Sequence, residues 1–421
     1  VEQVRQIVRI CRRHSVPVVA RGSGTGLSGG ALPVAGGLLL VLSRLNEILE
    51  VDPRRGLARV QPGVTNLAVS EAAAPFGMYY APDPSSQVAC SVGGNVAENS
   101  GGVHCLKYGL TVHNVLAVKL VTMEGELLTL GIETGETPGL NLLAAVIGSE
   151  GLLGVVVEVS VRLLPLPRRV ELLLAAFDDV GRCAEAVGQV IAAGIIPAGL
   201  EMMDAPAIKA AEAFARCGYP LDAQALLLCE VDGLPADVDD ELGRARTLLE
   251  AAGATSVRVA RDAGERHRMW SGRKSAFPAV GRLAPDYYCM DGTIPRRHLA
   301  DVLAQIAALS TTYRLDVANV FHAGDGNLHP LILFDAGKDG ELERAERFGA
   351  DILEACVAAG GTVTGEHGVG VEKLGPMCSQ FGAAELATFH ALKLAFDPAG
   401  LLNPGKAVPT LARCADYGAL R

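Results

Sequence analysis

Residues 24 to 29 read Gly-Thr-Gly-Leu-Ser-Gly, a letter-for-letter match to the dinucleotide fingerprint G-x-G-x-x-G, and the short stretch after them constrains the fold most. The fingerprint works only where the loop opens a helix that carries the chain across to the next parallel strand. Eight residues separate Gly29 from the apolar run that starts at Leu38, and they include Gly30, Pro33, Gly36 and Gly37. No helix fits there, so a nicotinamide-binding doubly wound sheet is excluded. What remains is a string of backbone N–H groups in Arg21-Gly-Ser-Gly-Thr-Gly-Leu-Ser-Gly-Gly30, just after a short strand at 17–20. Such a concave nest binds anions, pyrophosphate above all, without side-chain charge. A single Gly-rich loop is more often a surface turn. Two more occur before residue 155, at 90–109 and in Gly148-Ser-Glu-Gly-Leu-Leu-Gly154, and three in one domain argue for a ligand.

A chain of 421 residues is too long for one hydrophobic core. A helix is expected at 1–14 and strands at 38–42 and 155–164, with Pro165 and Pro167 closing a first domain, 1–166. In a second domain, 167–383, strands at 171–177, 225–231 and 256–260 alternate with helices at 180–193 and 239–252. This is the pattern of a β-α-β-β-α-β sheet covered by helices. Helices at 296–313 and 341–359 come next, and a tail, 384–421, begins with a helix at 384–396 and contains Leu402-Asn-Pro-Gly-Lys406. No run reaches the ~18 apolar residues of a membrane helix, and a net charge of −10 disfavours nucleic acid. Ten cysteines without a C-x-x-C pair signal neither an iron–sulfur cluster nor a cysteine zinc site. Together with the lack of a signal peptide they fit a reducing cytoplasm. The chain starts at Val1 inside a helical pattern, so further residues are expected upstream.

The segment His322-Ala-Gly-Asp-Gly-Asn-Leu-His329 carries the second constraint. Asp325-Gly326 suits a two-residue hairpin turn, whose central positions need positive φ. Folding there would set His322 opposite His329, their Cβ atoms ~5 Å apart, near enough to grip one divalent metal. Gly365-Glu366-His367-Gly368 could add a carboxylate ligand and a spare histidine. Two histidines and one carboxylate leave open coordination positions for an oxygen-bearing substrate. Spacing alone leaves this reading level with a pair of surface polar residues.

The glycine loops, with Gly93-Gly-Asn-Val-Ala-Glu-Asn-Ser-Gly-Gly102 in the second, resemble the FAD-binding half of the vanillyl-alcohol oxidase type flavoproteins. The histidine segment and Gly365-Glu-His-Gly-Val-Gly370 are similar to the C-terminal half of the FAD-linked 2-hydroxy-acid dehydrogenases. Tyr287-Tyr-Cys-Met-Asp-Gly-Thr-Ile-Pro-Arg-Arg297 and residues 321–334 resemble the flavin-carrying D subunits of bacterial glycolate oxidases most. The resemblance covers nearly the whole chain and implies an α+β fold. A PCMH-type FAD-binding domain of two subdomains would be joined by an antiparallel-sheet cap domain with ferredoxin-like elements. FAD contacts are implied at Arg21, Gly22, Ser23, Gly24, Thr25, Gly26, Ser28, Gly30, Pro82, Gly93, Gly94, Asn95, Ala97, Asn99, Gly101, Gly102, Glu150 and Asn403.

The implied reaction is oxidation of a short 2-hydroxy acid, with hydride passing to the flavin. His367 would be the general base, and zinc, manganese or iron on His322, His329 and Glu366 would hold the substrate oxygens. Gly365 and Gly368 would allow the bend that lets Glu366 and His367 converge. Arg273 would pair with the substrate carboxylate; its bland alternative is a solvated helix face. Where the family's 2-hydroxyglutarate enzymes carry a lysine and an asparagine, this chain has Cys289 and Leu331, which favours glycolate or D-lactate. The FAD should be non-covalent, since residues 21–30 hold no histidine and His104 is the one other candidate near a glycine loop. Implied partners are iron–sulfur and second flavin-fold subunits of a glycolate oxidase complex, in the cytoplasm or at the inner face of the membrane. A stand-alone D-lactate dehydrogenase and a non-catalytic flavin-fold subunit stay open as alternatives.

Overall fold

A computed structural model describes residues 1–134 and 139–419. The chain forms two compact units. The first comprises Val1–Gly102, Tyr108–Leu166 and the chain from Glu366 onward; the second comprises Val103–Lys107 and Pro167–Gly365.

In the first unit the helix Glu2–Arg13 buries Val4, Val8 and Cys11, the spacing of one helical face. Strands Val18–Arg21 and Leu38–Val41 then pair in parallel, Val18 beside Leu38, with no helix in the connection. Five antiparallel strands form the main sheet in the order Ile48–Asp52, Leu57–Val60, Val155–Arg162, Val115–Val121, Leu127–Gly131. The β-branched run of Val155–Arg162 sends Val159 and Val161 into a core with Val60, Val96 and Val118. The second glycine stretch is not all loop. Ser91 caps a helix, Val92–Glu98, by accepting from the Gly94 amide at 3.3 Å, and Asn99 ends it with φ 55°.

The second unit is a seven-stranded antiparallel sheet. Strands Arg169–Phe177, Gly199–Asp204, Ala225–Gly233 and Ser256–Val259 make its ferredoxin-like part, with the first and third strands central. The helices Val180–Ala192 and Pro235–Ala251 are the expected crossovers, and Ala205–Ala215 is an additional helix. Val317–His322, Asn327–Phe334 and Asp286–Cys289 extend the sheet from Gly199–Asp204. Gly199–Asp204 is absent from the sequence expectations. Its Leu-Glu-Met-Met core is buried at every position, so no polar alternation marks it as a strand.

Three expectations are corrected. The chain enters the first unit again at Glu366 rather than at 384, because the loop after Gly365 is bound there by Glu150 and Ser28. The histidine hairpin has a four-residue loop, 323–326, so His322 pairs with Asn327 and His329 with Val320. Of its two central residues Gly326 alone has positive φ, at 83°, and its amide closes the turn on the His322 carbonyl at 3.0 Å. The cysteines are not all free thiols: Cys378 and Cys414 form a disulfide between the packed helices Leu374–Gln380 and Leu411–Ala419. Among the described residues no helix is long and apolar enough to cross a membrane.

Candidate active site

The second unit gathers charged groups on one face of its sheet. Met202 is paired with Phe321 and Met203 with Val320, so Glu201 falls beside His322 on the next strand. Val320 pairs with His329, and residues two apart on a strand share a face. Glu201, His322 and His329 therefore project together. The imidazoles meet edge to face with ring centroids 5.0 Å apart, a diagonal contact rather than the direct opposition expected from the turn. Both are buried, and Phe277 closes the other side of His329 with ring centroids 5.8 Å apart.

Arg273 arrives from the last turn of the helix Ala263–Lys274. It is 1% exposed, which removes the solvated-face alternative. Its Nη2 lies 2.6 Å from Glu201 Oε2, and Glu201 Oε1 lies 2.8 Å from His322 Nδ1. Arg273 Nε is buried with no hydrogen-bond partner among the described residues. Asp291, fully buried, brings Oδ1 within 3.5 Å of His329 Nε2, while Thr364 Oγ1 donates to its Oδ2 at 2.6 Å. Sequence reasoning missed Glu201 and Asp291. The one signal for Glu201 was an acid inside an apolar run, Gly199-Leu-Glu-Met-Met203. Cys289 and Leu331, the two positions that depart from the dicarboxylate enzymes, are direct cross-strand partners and both buried. His104 meets Glu230 Oε1 at 3.0 Å, and Trp270 Nε1 donates to the other oxygen at 2.5 Å.

The first unit holds the glycine loops and the Glu366–His367 segment. None of the backbone amides from Gly22 to Gly30 donates to a backbone carbonyl among the described residues. This row of donors suits a pyrophosphate, so the loop fits the FAD that the resemblance implies. Side chains expected at the cofactor instead shape the loops. Ser28 Oγ donates to the Gly368 carbonyl at 2.9 Å. Asn403 Nδ2 donates to the carbonyls of Gly30 at 2.9 Å and Glu150 at 2.6 Å. Asn95 bonds Asn66, and Asn99 accepts from the Val112 amide. Glu150 takes the amides of Val369 at 2.7 Å and Gly370 at 2.8 Å. Burial pushes its carboxyl upward, against those two bonds and the pull of Lys373 and Lys406. Pro82, Gly101 and Gly102 are buried, and Gly102, at φ 150°, lies so close to the Asp83 carbonyl that a Cβ would stand 2.5 Å from it.

Glu366 and His367 sit in irregular backbone that Gly368, at φ 78°, bends. Their side chains converge, His367 Nε2 lying 3.8 Å from Glu366 Oε1. Gly365, the residue before them, donates its amide to the Asp291 carbonyl at 2.7 Å and to Oδ2 at 3.1 Å. The donor set of the second unit, two buried imidazoles with a carboxylate beside one of them, fits a divalent cation.

The chain is similar to known proteins over both halves. A family described as FAD binding domain matches residues 1–131, and one described as FAD linked oxidases, C-terminal domain, matches residues 166–407. Glycolate oxidase subunit GlcD of Escherichia coli (strain K12) is 62% identical over 419 residues, covering 100% of this chain and 84% of that protein. Glycolate oxidase subunit GlcD of Bacillus subtilis (strain 168) is 39% identical over 406 residues, 96% of this chain and 86% of that protein. A D-lactate dehydrogenase of Anaerostipes hadrus is 31% identical over 414 residues, 96% of this chain and 87% of that protein. In fold the chain is similar to p-cresol methylhydroxylase, with a TM-score of 0.80 at 17% identity over 98% of this chain and 88% of that one. With this coverage on both halves, the chain belongs to the FAD-linked oxidases, an FAD-binding domain followed by that family's C-terminal domain.

Proposed function

We propose that this chain is the flavin subunit of a glycolate-oxidase-type assembly and oxidises glycolate to the 2-oxo acid. One observation carries the reading: a chain 62% identical to GlcD over its full length presents Glu201, His322 and His329 on one buried sheet face, with Arg273 ion-paired to Glu201. FAD, when bound, supplies the hydride acceptor. The protein's own tasks are to hold the 2-hydroxy acid and to move its hydroxyl proton. Arg273 keeps a buried, unpartnered Nε for the substrate carboxylate, a contact that a guanidinium makes bidentately. His367 takes the hydroxyl proton, for which a histidine titrates in the right range. A divalent metal on His322, His329 and Glu366 would lower the hydroxyl pKa and fix the substrate's pose. Chain connectivity supports Glu366 in that role, since it directly follows Gly365, which is bonded to Asp291.

Cys289 and Leu331, paired across the two strands, offer neither a cation nor an amide at these positions for a second carboxylate, so short monocarboxylates are the fitting substrates. D-lactate is the second reading, favoured by the 31% identical D-lactate dehydrogenase. The FAD is held non-covalently by the loop amides. With no C-x-x-C pair in the sequence, electrons leave through another subunit, a quinone or a diffusible acceptor; the fitting partners are iron–sulfur and second flavin-fold subunits, in the cytoplasm or at the inner face of the membrane. Steady-state turnover with a dye acceptor tests the assignment. The expected result is a higher kcat/KM for glycolate than for D-lactate; preference for D-lactate establishes the second reading, and turnover of neither overturns both.

A further inference from the structure

We propose that Glu201 is a positioning residue that aims two groups at once: it fixes Arg273 for the substrate carboxylate and sets which ring nitrogen of His322 carries the proton. The proposal rests on the function proposed above and adds a residue that lies outside the expected catalytic and metal sets.

The chemistry comes from counting donors and acceptors. A guanidinium is a donor only, and Arg273 Nη2 lies 2.6 Å from Glu201 Oε2 in a close ion pair. His322 Nδ1 lies 2.8 Å from the other oxygen, Oε1. Were Nδ1 the unprotonated nitrogen, its lone pair would face a carboxylate lone pair across a buried contact. Nδ1 therefore carries the hydrogen and donates, and Nε2 is the nitrogen left with a lone pair, the form that can ligate a cation or accept a proton. Glu201 is 1% exposed, so both contacts, the ion pair and the hydrogen bond, lie away from bulk water. The strand register that sets Glu201 beside His322 makes the pairing a property of the fold and not of a chance rotamer. Arg273 Nη2 is also 3.5 Å from His322 Nδ1, a contact in which Nδ1 would have to accept; the carboxylate oxygen at 2.8 Å is much the nearer partner and decides the tautomer.

No other side chain of this length does both jobs. Glutamine has one acceptor oxygen and one donor amide. In Glu201→Gln either Arg273 loses its acceptor or the amide N–H turns toward His322 and forces the hydrogen onto Nε2. Aspartate keeps two acceptors on a shorter stem, so Glu201→Asp should retain part of the effect.

The test uses the full chain loaded with FAD. Selective ¹⁵N-histidine NMR, with His322 assigned by comparison with His322→Gln, should show the Nδ1–H tautomer in the unsubstituted protein and a shift toward Nε2–H in Glu201→Gln. Zinc affinity should fall by ~10–100-fold in the same variant, the usual size for loss of a group that orients a metal ligand. KM for glycolate should rise by a comparable factor while flavin content stays unchanged, and Glu201→Asp should recover part of both. An Nε2–H tautomer in the unsubstituted protein overturns the proposal without any variant. So does a folded Glu201→Gln with unchanged tautomer, zinc affinity and KM. Should the unsubstituted protein oxidise no 2-hydroxy acid, the functional reading fails by itself, and the tautomer and zinc measurements still decide the role of Glu201.

Discussion

The glycine loops of the first unit and the sheet face of the second use sequence in opposite ways. In the first, side chains that look like cofactor ligands are spent on one another: Ser28 on Gly368, Asn403 on Gly30 and Glu150, and Glu150 on Val369 and Gly370. The amides of residues 22–30 are what is left to meet an anion. In the second, the side chains themselves are the instrument, and the backbone only sets their register. Substitutions in the loops should therefore act through conformation and cost flavin retention. Substitutions on the sheet face should act through chemistry and leave the flavin bound.

The histidine pair and the Glu366–His367 segment give the sharpest way to break that contrast. His367→Asn should slow reduction of bound flavin by glycolate ~10²–10⁴-fold, the usual cost of a lost general base, while FAD content is retained. Stopped-flow reduction near the normal rate would remove His367 from the mechanism. His322→Ala and His329→Ala should lose both metal and turnover. Elemental analysis of an active preparation should find about one equivalent of zinc, manganese or iron; an active preparation without metal would make both histidines direct substrate ligands.

On the loop side, Gly370→Ala should destabilise the first unit by about 3 kcal/mol or more, combining a strained left-handed backbone with a steric clash. Gly370 has φ 53°, and a Cβ there would stand 1.8 Å from the Ser28 carbonyl oxygen. Thermal unfolding with flavin fluorescence should show early release of FAD, and an unchanged profile would contradict the backbone account of this loop.

A smaller effect separates stability from chemistry within the second unit. Burial pushes Asp204 up to about 6, against bonds from Asn319 and Ala207. A carboxyl raised above its unfolded value binds its proton more tightly when folded, so the folded state is favoured at low pH. Stability should fall as pH rises from about 4 through about 6, by at most about 3 kcal/mol. Asp204→Asn should flatten that part of the curve in denaturant titrations, and an equally steep slope would assign it to another group.

Much of this was legible in the sequence because local chemistry forced it. The short gap from Gly29 to Leu38 excluded a crossover helix, and the chain runs from Val18–Arg21 to Leu38–Val41 without one. The bend at Gly368 and the convergence of Glu366 and His367 come from residues adjacent in sequence. What escaped depends on partners distant along the chain. The hairpin register is set by sheet pairing across Val317–His322 and not by the preference of Asp-Gly for a tight turn. Glu201 belongs to a strand buried on every residue, where no alternation separates a functional acid from its apolar neighbours. Arg273 reads as a surface helix residue until Glu201 supplies its partner from 72 positions away in sequence, the difference between residues 273 and 201.

The central claim, flavin held by loop amides and substrate handled by sheet-borne side chains, is tested most directly by one anaerobic mixing experiment. Protein with Arg273 intact and the variant Arg273→Lys are each combined with subsaturating glycolate while the absorbance of bound flavin is followed. The account predicts equal flavin content in both, bleaching in the intact protein, and bleaching slower by ~10-fold or more in the variant, since a lysine cannot reproduce the bidentate contact. Equal bleaching rates, or loss of flavin from the variant before any glycolate is added, would contradict it.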